Sequence, residues 1–152
     1  MKNAMNRLCD VVDFLESAGA ARLEVQRLQR RLDALEARRE GLRVQQGAVA
    51  RKISQRIAEE RERELTVVSE ELESYRRVEA FVAQIPDRTH CTILRRRYLE
   101  TGKSWTEIQN DLARDGVYYS QRHLQRLHTL ALEEARRLWN RDGEEGTVRE
   151  RR

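Results

Sequence analysis

Arg122 and Arg126 lie four residues apart with Gln121 and Gln125 beside them. A guanidinium and a carboxamide are well shaped to read base pairs. The first donates two parallel hydrogen bonds to guanine, the second gives and accepts one at adenine, and each good pair supplies about 1–3 kcal/mol of discrimination. To act together these groups must share one helix face. On a helical projection Arg122, Gln125, Arg126 and Thr129 lie together, opposite Leu124, Leu127, Ala131, Ala135 and Leu138. We therefore expect Gln121, Arg122, Gln125 and Arg126 to be base-reading residues, with Thr129 against the sugar–phosphate backbone. Surface helices are commonly charged, so a basic face alone is ordinary. Here no acid occurs from Gly116 to Ala131, and the segment before it is built to position such a helix.

That positioning is written in caps and turns. Ser120 is a good N-cap, and Tyr119 before it can close onto Leu124 as a hydrophobic staple. Ser104-Trp105-Thr106-Glu107 is a capping box opening a helix with Trp105, Ile108 and Leu112 inward. That helix is expected to run to about Arg114, with Gly116 making the turn. Upstream, Pro86-Asp87 starts a helix that packs Ile93, Leu94 and Tyr98 and stops at Thr101-Gly102. Arg95-Arg96-Arg97 lies on this helix and Lys103 just before the next. Arg95, Arg96 and Lys103 are therefore expected at DNA phosphates. The order is that of a helix-turn-helix unit with a basic third helix.

Other chemistries are poorly served. His123 and His128 are five apart, not the four that place a metal pair on one face, and His128 projects toward the packed side as a structural histidine. His90 and Cys91 are adjacent and diverge on a helix. No nucleophile–base pairing, phosphate-cradling glycine loop or supported carboxylate pair is seen, so neither an enzyme nor a cofactor or metal site is expected.

Composition points the same way. Charged residues are 37% and aromatics 5% of 152 residues, with a single proline, a profile of long solvated helices and not of a thick core. Residues 1–85 carry 16 basic and 15 acidic side chains and residues 86–139 carry 10 and 7, so much of the net +4 sits toward the C-terminal half. Cys9 and Cys91 read as unpaired thiols of a reducing compartment. No apolar run approaches the ~20 residues of a membrane span, so a soluble, cytoplasmic protein without membrane contact is expected.

In the first eighty-five residues Val11, Phe14, Ala18, Ala21, Val25, Leu28, Leu32, Leu35, Leu42, Val49 and Ile53 occupy positions of an alternating three-and-four pattern that Arg39, Gln46 and Arg56 interrupt. Such a narrow seam must be covered by another helix, in the same chain or in a second copy. A second seam, Leu65, Val68, Leu72, Tyr75 and Val82, is out of phase with the first, beyond the polar run Glu59–Glu64. That run reads as a solvated face held by i,i+4 pairs. Gly41 and Gly47 mark the chain reversal. A helical hairpin is expected, one arm ending near Gly41 and the other from about Ala48 to Ile85, in preference to one unbroken rod. Either form offers a dimerisation surface. The expectation is thus an all-α protein: a charged hairpin or coiled coil over 1–85, a helix-turn-helix domain over 86–140, and a disordered tail over 141–152.

The stretch Ile85-Pro86-Asp87-Arg88, Ile93-Leu94-Arg95-Arg96-Arg97-Tyr98, Ser104-Trp105-Thr106-Glu107-Ile108, then Tyr119 to His128 with Ala131-Leu132, resembles region four of bacterial sigma factors. It is similar in particular to the prophage-encoded RinA- and ArpU-type regulators, which also begin with long charged helices. The detailed likeness covers about residues 85–139. It implies control of phage genes by binding double-stranded DNA near a promoter, with host RNA polymerase as a further partner. It places promoter base contacts on Gln121, Arg122 and Arg126, with His123 and Gln125 beside them near the DNA backbone. The chain departs from the sigma pattern in one place: Ala113-Arg114-Asp115-Gly116-Val117-Tyr118-Tyr119 replaces a connection of a couple of residues.

The leading expectation is a sequence-specific DNA-binding regulator, self-associated through its N-terminal helices. A phage packaging component of the small-terminase kind and a coiled-coil adaptor that binds only protein are the alternatives. Stoichiometry separates the first two, a large ring favouring packaging. Salt-sensitive DNA retention argues against the third.

Overall fold

A computed structural model describes the backbone of residues 3–150 except 46, 101 and 102, and the side chains of residues 10–142 with the same exceptions. The chain is all-helical: α1 (Asn3–Leu42), α2 (Ala48–Ala83), α3 (Arg88–Leu94) continued by a π-helical turn (Arg95–Leu99), α4 (Trp105–Arg114) and α5 (Gln121–Glu150). No strand occurs among the described residues, and none of their helices is long and apolar enough to cross a membrane.

The reversal between α1 and α2 falls where the glycines place it. Gly41 is still helical, and Gly47 takes φ +137°, which an L side chain rarely adopts, while its carbonyl accepts from Arg51 N–H at 3.2 Å. The preference for a hairpin over a rod is thereby met. The chain divides into two compact units, one of Ala20–Ser74 and one of Met1–Gly19 with Tyr75–Arg152. Within the first unit Ala21, Leu28, Leu32 and Leu35 of α1 and Ile57 of α2 are buried. Arg31 pairs with Glu60 at 2.7 Å and Glu64 at 3.2 Å, and Arg61 with Glu36 at 3.5 Å. The Glu59–Glu64 run is therefore not merely a solvated face: three of its residues reach across to the opposite arm, because the reversal before α2 brings that arm alongside. Further along, Val49 is 72% exposed. The α1 seam ends at the reversal and does not continue in phase to Ile53.

In the second unit Val11, Leu15 and Ala18 of α1, Val78, Phe81 and Val82 of α2, Ile85, Leu94, Leu99, and Ala131 and Ala135 of α5 form one core. Phe14, Phe81 and Trp139 meet at its edge with ring centroids 4.8–5.8 Å apart. This corrects the expected boundary at residue 85. The start of α1 and the end of α2 supply the apolar cover that the short helices after Pro86 lack, so 86–140 is not a separate domain. The expected tail is corrected as well: α5 runs on to Glu150. No proline interrupts it, and the two glycines at 143 and 146 each cost only about 1 kcal/mol in a helix.

Candidate functional site

A smaller core of Ile93, Ile108, Leu112 and Leu124, with Trp105, Val117, Tyr119 and Leu127 packed around it, joins α3, α4 and α5. Local chemistry sets each helix end. Asp87 caps α3, its carboxylate accepting from Thr89 N–H at 2.9 Å and His90 N–H at 3.1 Å, so Pro86 lies before the first turn and not within it. Ser104 caps α4 through Glu107 N–H at 3.2 Å, and Ser120 caps α5 through His123 N–H at 3.1 Å. α4 ends in a Schellman motif. Val117 N–H donates to Leu112 O at 2.8 Å, Gly116 N–H to Ala113 O at 3.1 Å, and Gly116 takes φ +86°. The Thr101-Gly102 stop expected after α3 lies outside the described residues, as does the side chain of Cys9; Cys91 is a free thiol.

Gln109 spans the turn, its amide donating to Tyr119 O at 2.9 Å. Gln121 ties the start of α5 to α4, donating to Thr106 Oγ1 at 2.9 Å and Gln109 Oε1 at 3.4 Å. Of the four residues expected to read bases, Gln121 thus has its amide donor engaged inside the protein. Arg122, Gln125 and Arg126 are exposed, and among the described residues neither arginine is in an ion pair. Directly behind them Leu124, Ala131 and Ala135 are buried to 0% exposure. Thr129 is exposed and donates to Gln125 O at 3.1 Å, and exposed His123 sets its ring edge-on to Tyr119 at 5.0 Å.

The expected phosphate set is divided. Arg95 is exposed, but Arg96 and Lys103 are drawn into an ionic cluster of the protein's own. Arg96 meets Asp115 at 2.9 Å and Asp111 at 3.5 Å, and Lys103 meets Glu100 at 2.7 Å and Asp111. Lys103 holds the Asp111 carboxyl below the usual carboxylate range, and Asp111 raises Lys103 in turn. Asp111 of α4 and Asp115 at its C-cap face Arg96, so Arg96 fastens the π-turn to α4, while Lys103, just before α4, bridges Glu100 and Asp111; both cations are already paired within the protein. The i,i+4 spacing of the two aspartates was the available signal; which cations they meet depends on the turn geometry.

His128 is the structural histidine its projection suggests. Its Nε2 lies 2.9 Å from the Tyr98 hydroxyl, and its ring sits 4.9 Å from Trp105, whose face carries the Arg97 guanidinium at 4.8 Å. Burial, then the charge of Arg97, lowers its pKa to about 4.

Asp87, His90 and Glu134 bring one ligand atom each within 4.8 Å of one another, the group best placed to hold a cation among the described residues. Hydrogen bonds already use those atoms. Glu134 contacts His90 Nδ1 and accepts from Asp87 N–H at 3.5 Å, which ties the start of α3 to α5. His90 and Glu134 are 44 positions apart, so no spacing rule reveals the pair. A mainly apolar recess of about 140 Å³ bounded by Arg88, Ile93, Leu112 and Tyr119 is smaller than an ordinary cofactor pocket. The chain matches no protein-family model, no curated protein and no solved structure.

Proposed function

We propose that this protein binds duplex DNA with sequence preference and acts as a phage-type transcription regulator, α4 and α5 forming a helix-turn-helix with α5 as the reading helix. One observation carries the reading. Arg122, Gln125 and Arg126 stand exposed on one face of α5, the arginines without acidic partners among the described residues, while the opposite face is buried. Unpaired guanidinium groups on a helix anchored from behind suit bidentate contact with base edges. Arg95, His123 and Thr129 add exposed groups for the backbone, and Gln121 serves to hold the start of α5 against α4.

Self-association belongs to the same proposal. The buried residues of the α1 seam are covered within the chain, Val11 and Ala18 in the core with α5 and Ala21, Leu28, Leu32 and Leu35 in the hairpin unit, but Leu65 and Leu72 of α2 remain 44% and 36% exposed, two turns apart with Val68 between them. A stripe of that kind fits a second copy of the helix.

The test is fluorescence anisotropy of labelled duplexes over a salt series with the full chain. Retention should fall steeply with salt, Arg95→Ala should lower the log–log salt slope by about 1, and Arg122→Ala with Arg126→Ala should abolish the preference among duplexes of different sequence. Helicity and native mass should not change. Absence of salt-dependent retention would overturn the proposal, and a large closed ring by native mass would move it toward DNA packaging.

A further inference from the structure

Tyr118 is 82% exposed in the turn before α5, an unusual place for a large aromatic side chain. Its neighbours explain its direction. Val117 and Tyr119 both pack onto the core of Ile93, Ile108, Leu112 and Leu124, and in extended backbone the residue between two inward side chains points outward. The turn itself is fixed at both ends. The Schellman bonds from Gly116 and Val117 hold its start, and the Gln109 amide on Tyr119 O holds its finish. Tyr118 is therefore presented on a pre-organised support, which reduces the ordering cost of any contact it makes.

Beside it, the exposed Asn110 of α4 lines the same shallow recess, together with Ala113 and Ser120. A phenolic hydroxyl and a carboxamide donor thus line a recess at the start of α5, Tyr118 four residues before Arg122 in the chain. We infer that Tyr118 and Asn110 grip the sugar–phosphate backbone of duplex DNA at the edge of the groove that α5 enters, the Tyr118 hydroxyl donating to a phosphate oxygen. The inference rests on the DNA-binding reading and adds to it a contact that fixes register without reading sequence. The occupant is set by what surrounds Tyr118: hydrogen-bond donors and the nearby exposed arginines of α5 suit a phosphate oxygen, whereas an apolar protein partner would need a wider greasy surround.

The experiment uses the full chain and labelled duplexes of several sequences. Tyr118→Phe removes one hydroxyl from an exposed side chain, and an unchanged thermal melt establishes that the fold is intact. We expect about tenfold weaker binding, the size of one hydrogen bond to a charged group. The loss should be equal for every duplex and leave the salt slope unchanged, because no cation is removed. Asn110→Ala should act in the same direction. Wild-type affinity for Tyr118→Phe, with Arg122→Ala/Arg126→Ala still impaired, overturns this inference and leaves the DNA-binding reading standing. A wild-type chain that does not retain DNA removes both. Unchanged DNA affinity with an altered native mass would make Tyr118 a protein contact, which also overturns the inference.

Discussion

His128 shows how much a single half-buried side chain can reveal. Enclosed by Tyr98 and Trp105 and facing the Arg97 charge, it stays neutral in the folded chain down to about pH 4, against an ordinary value of 6.5. Between about pH 6.5 and 4 the unfolded chain takes up a proton that the folded chain refuses. The stabilisation is complete above that window, is lost as pH falls through it, and loses nothing further below it. Urea unfolding of the wild type should therefore weaken from pH 7 to 4, and His128→Gln should flatten that part of the slope. An equal slope in both proteins would contradict the burial argument. The histidine's packed position was legible from helical periodicity, and so was the outward face of Arg122, Gln125 and Arg126. The fates of Arg96 and Lys103 were not, because a cation's partner depends on which acid the fold brings opposite it.

Elements here begin and end where short-range chemistry sets them. The caps at Ser104 and Ser120, the end of α4 at Arg114, and the chain reversal near Gly47 all follow from residues within one turn of the boundary, which is why sequence revealed them. The π-helical turn at Arg95–Leu99 follows from nothing local. It lies between the core that holds Leu99 and the ionic pairs that hold Arg96, so its register is imposed by tertiary contact. Gly116 offers the sharpest test at this scale. No atom lies within 4 Å of where its Cβ would be, so Gly116→Ala meets no steric clash and its cost comes from φ +86° alone. That left-handed backbone costs an L residue about 1–2 kcal/mol, to be read as a lower urea midpoint with unchanged slope. Stability equal to the wild type would mean that the Schellman turn does not constrain α5.

At the scale of the molecule, periodicity exposed two long helices but not their division of labour. The seam of α1 is one pattern in sequence, yet Val11 and Ala18 lie in the core that holds α5, with Phe14 packed against it, while Leu28, Leu32 and Leu35 are buried in the hairpin unit. A heptad pattern records that a face is covered and not by what. A fragment of residues 86–140 should accordingly fail to melt cooperatively, because Leu94, Leu99, Ala131 and Ala135 lose the α1 and α2 side chains that cover them; a sharp two-state melt of that fragment by circular dichroism would contradict this. The central claim, that the outward face of α5 reads base sequence, is tested most directly by repeated selection from a random duplex pool. The full chain should enrich a defined motif, and Arg122→Ala/Arg126→Ala, equally helical and of equal mass, should enrich none. Enrichment of the same motif by both proteins would contradict the account.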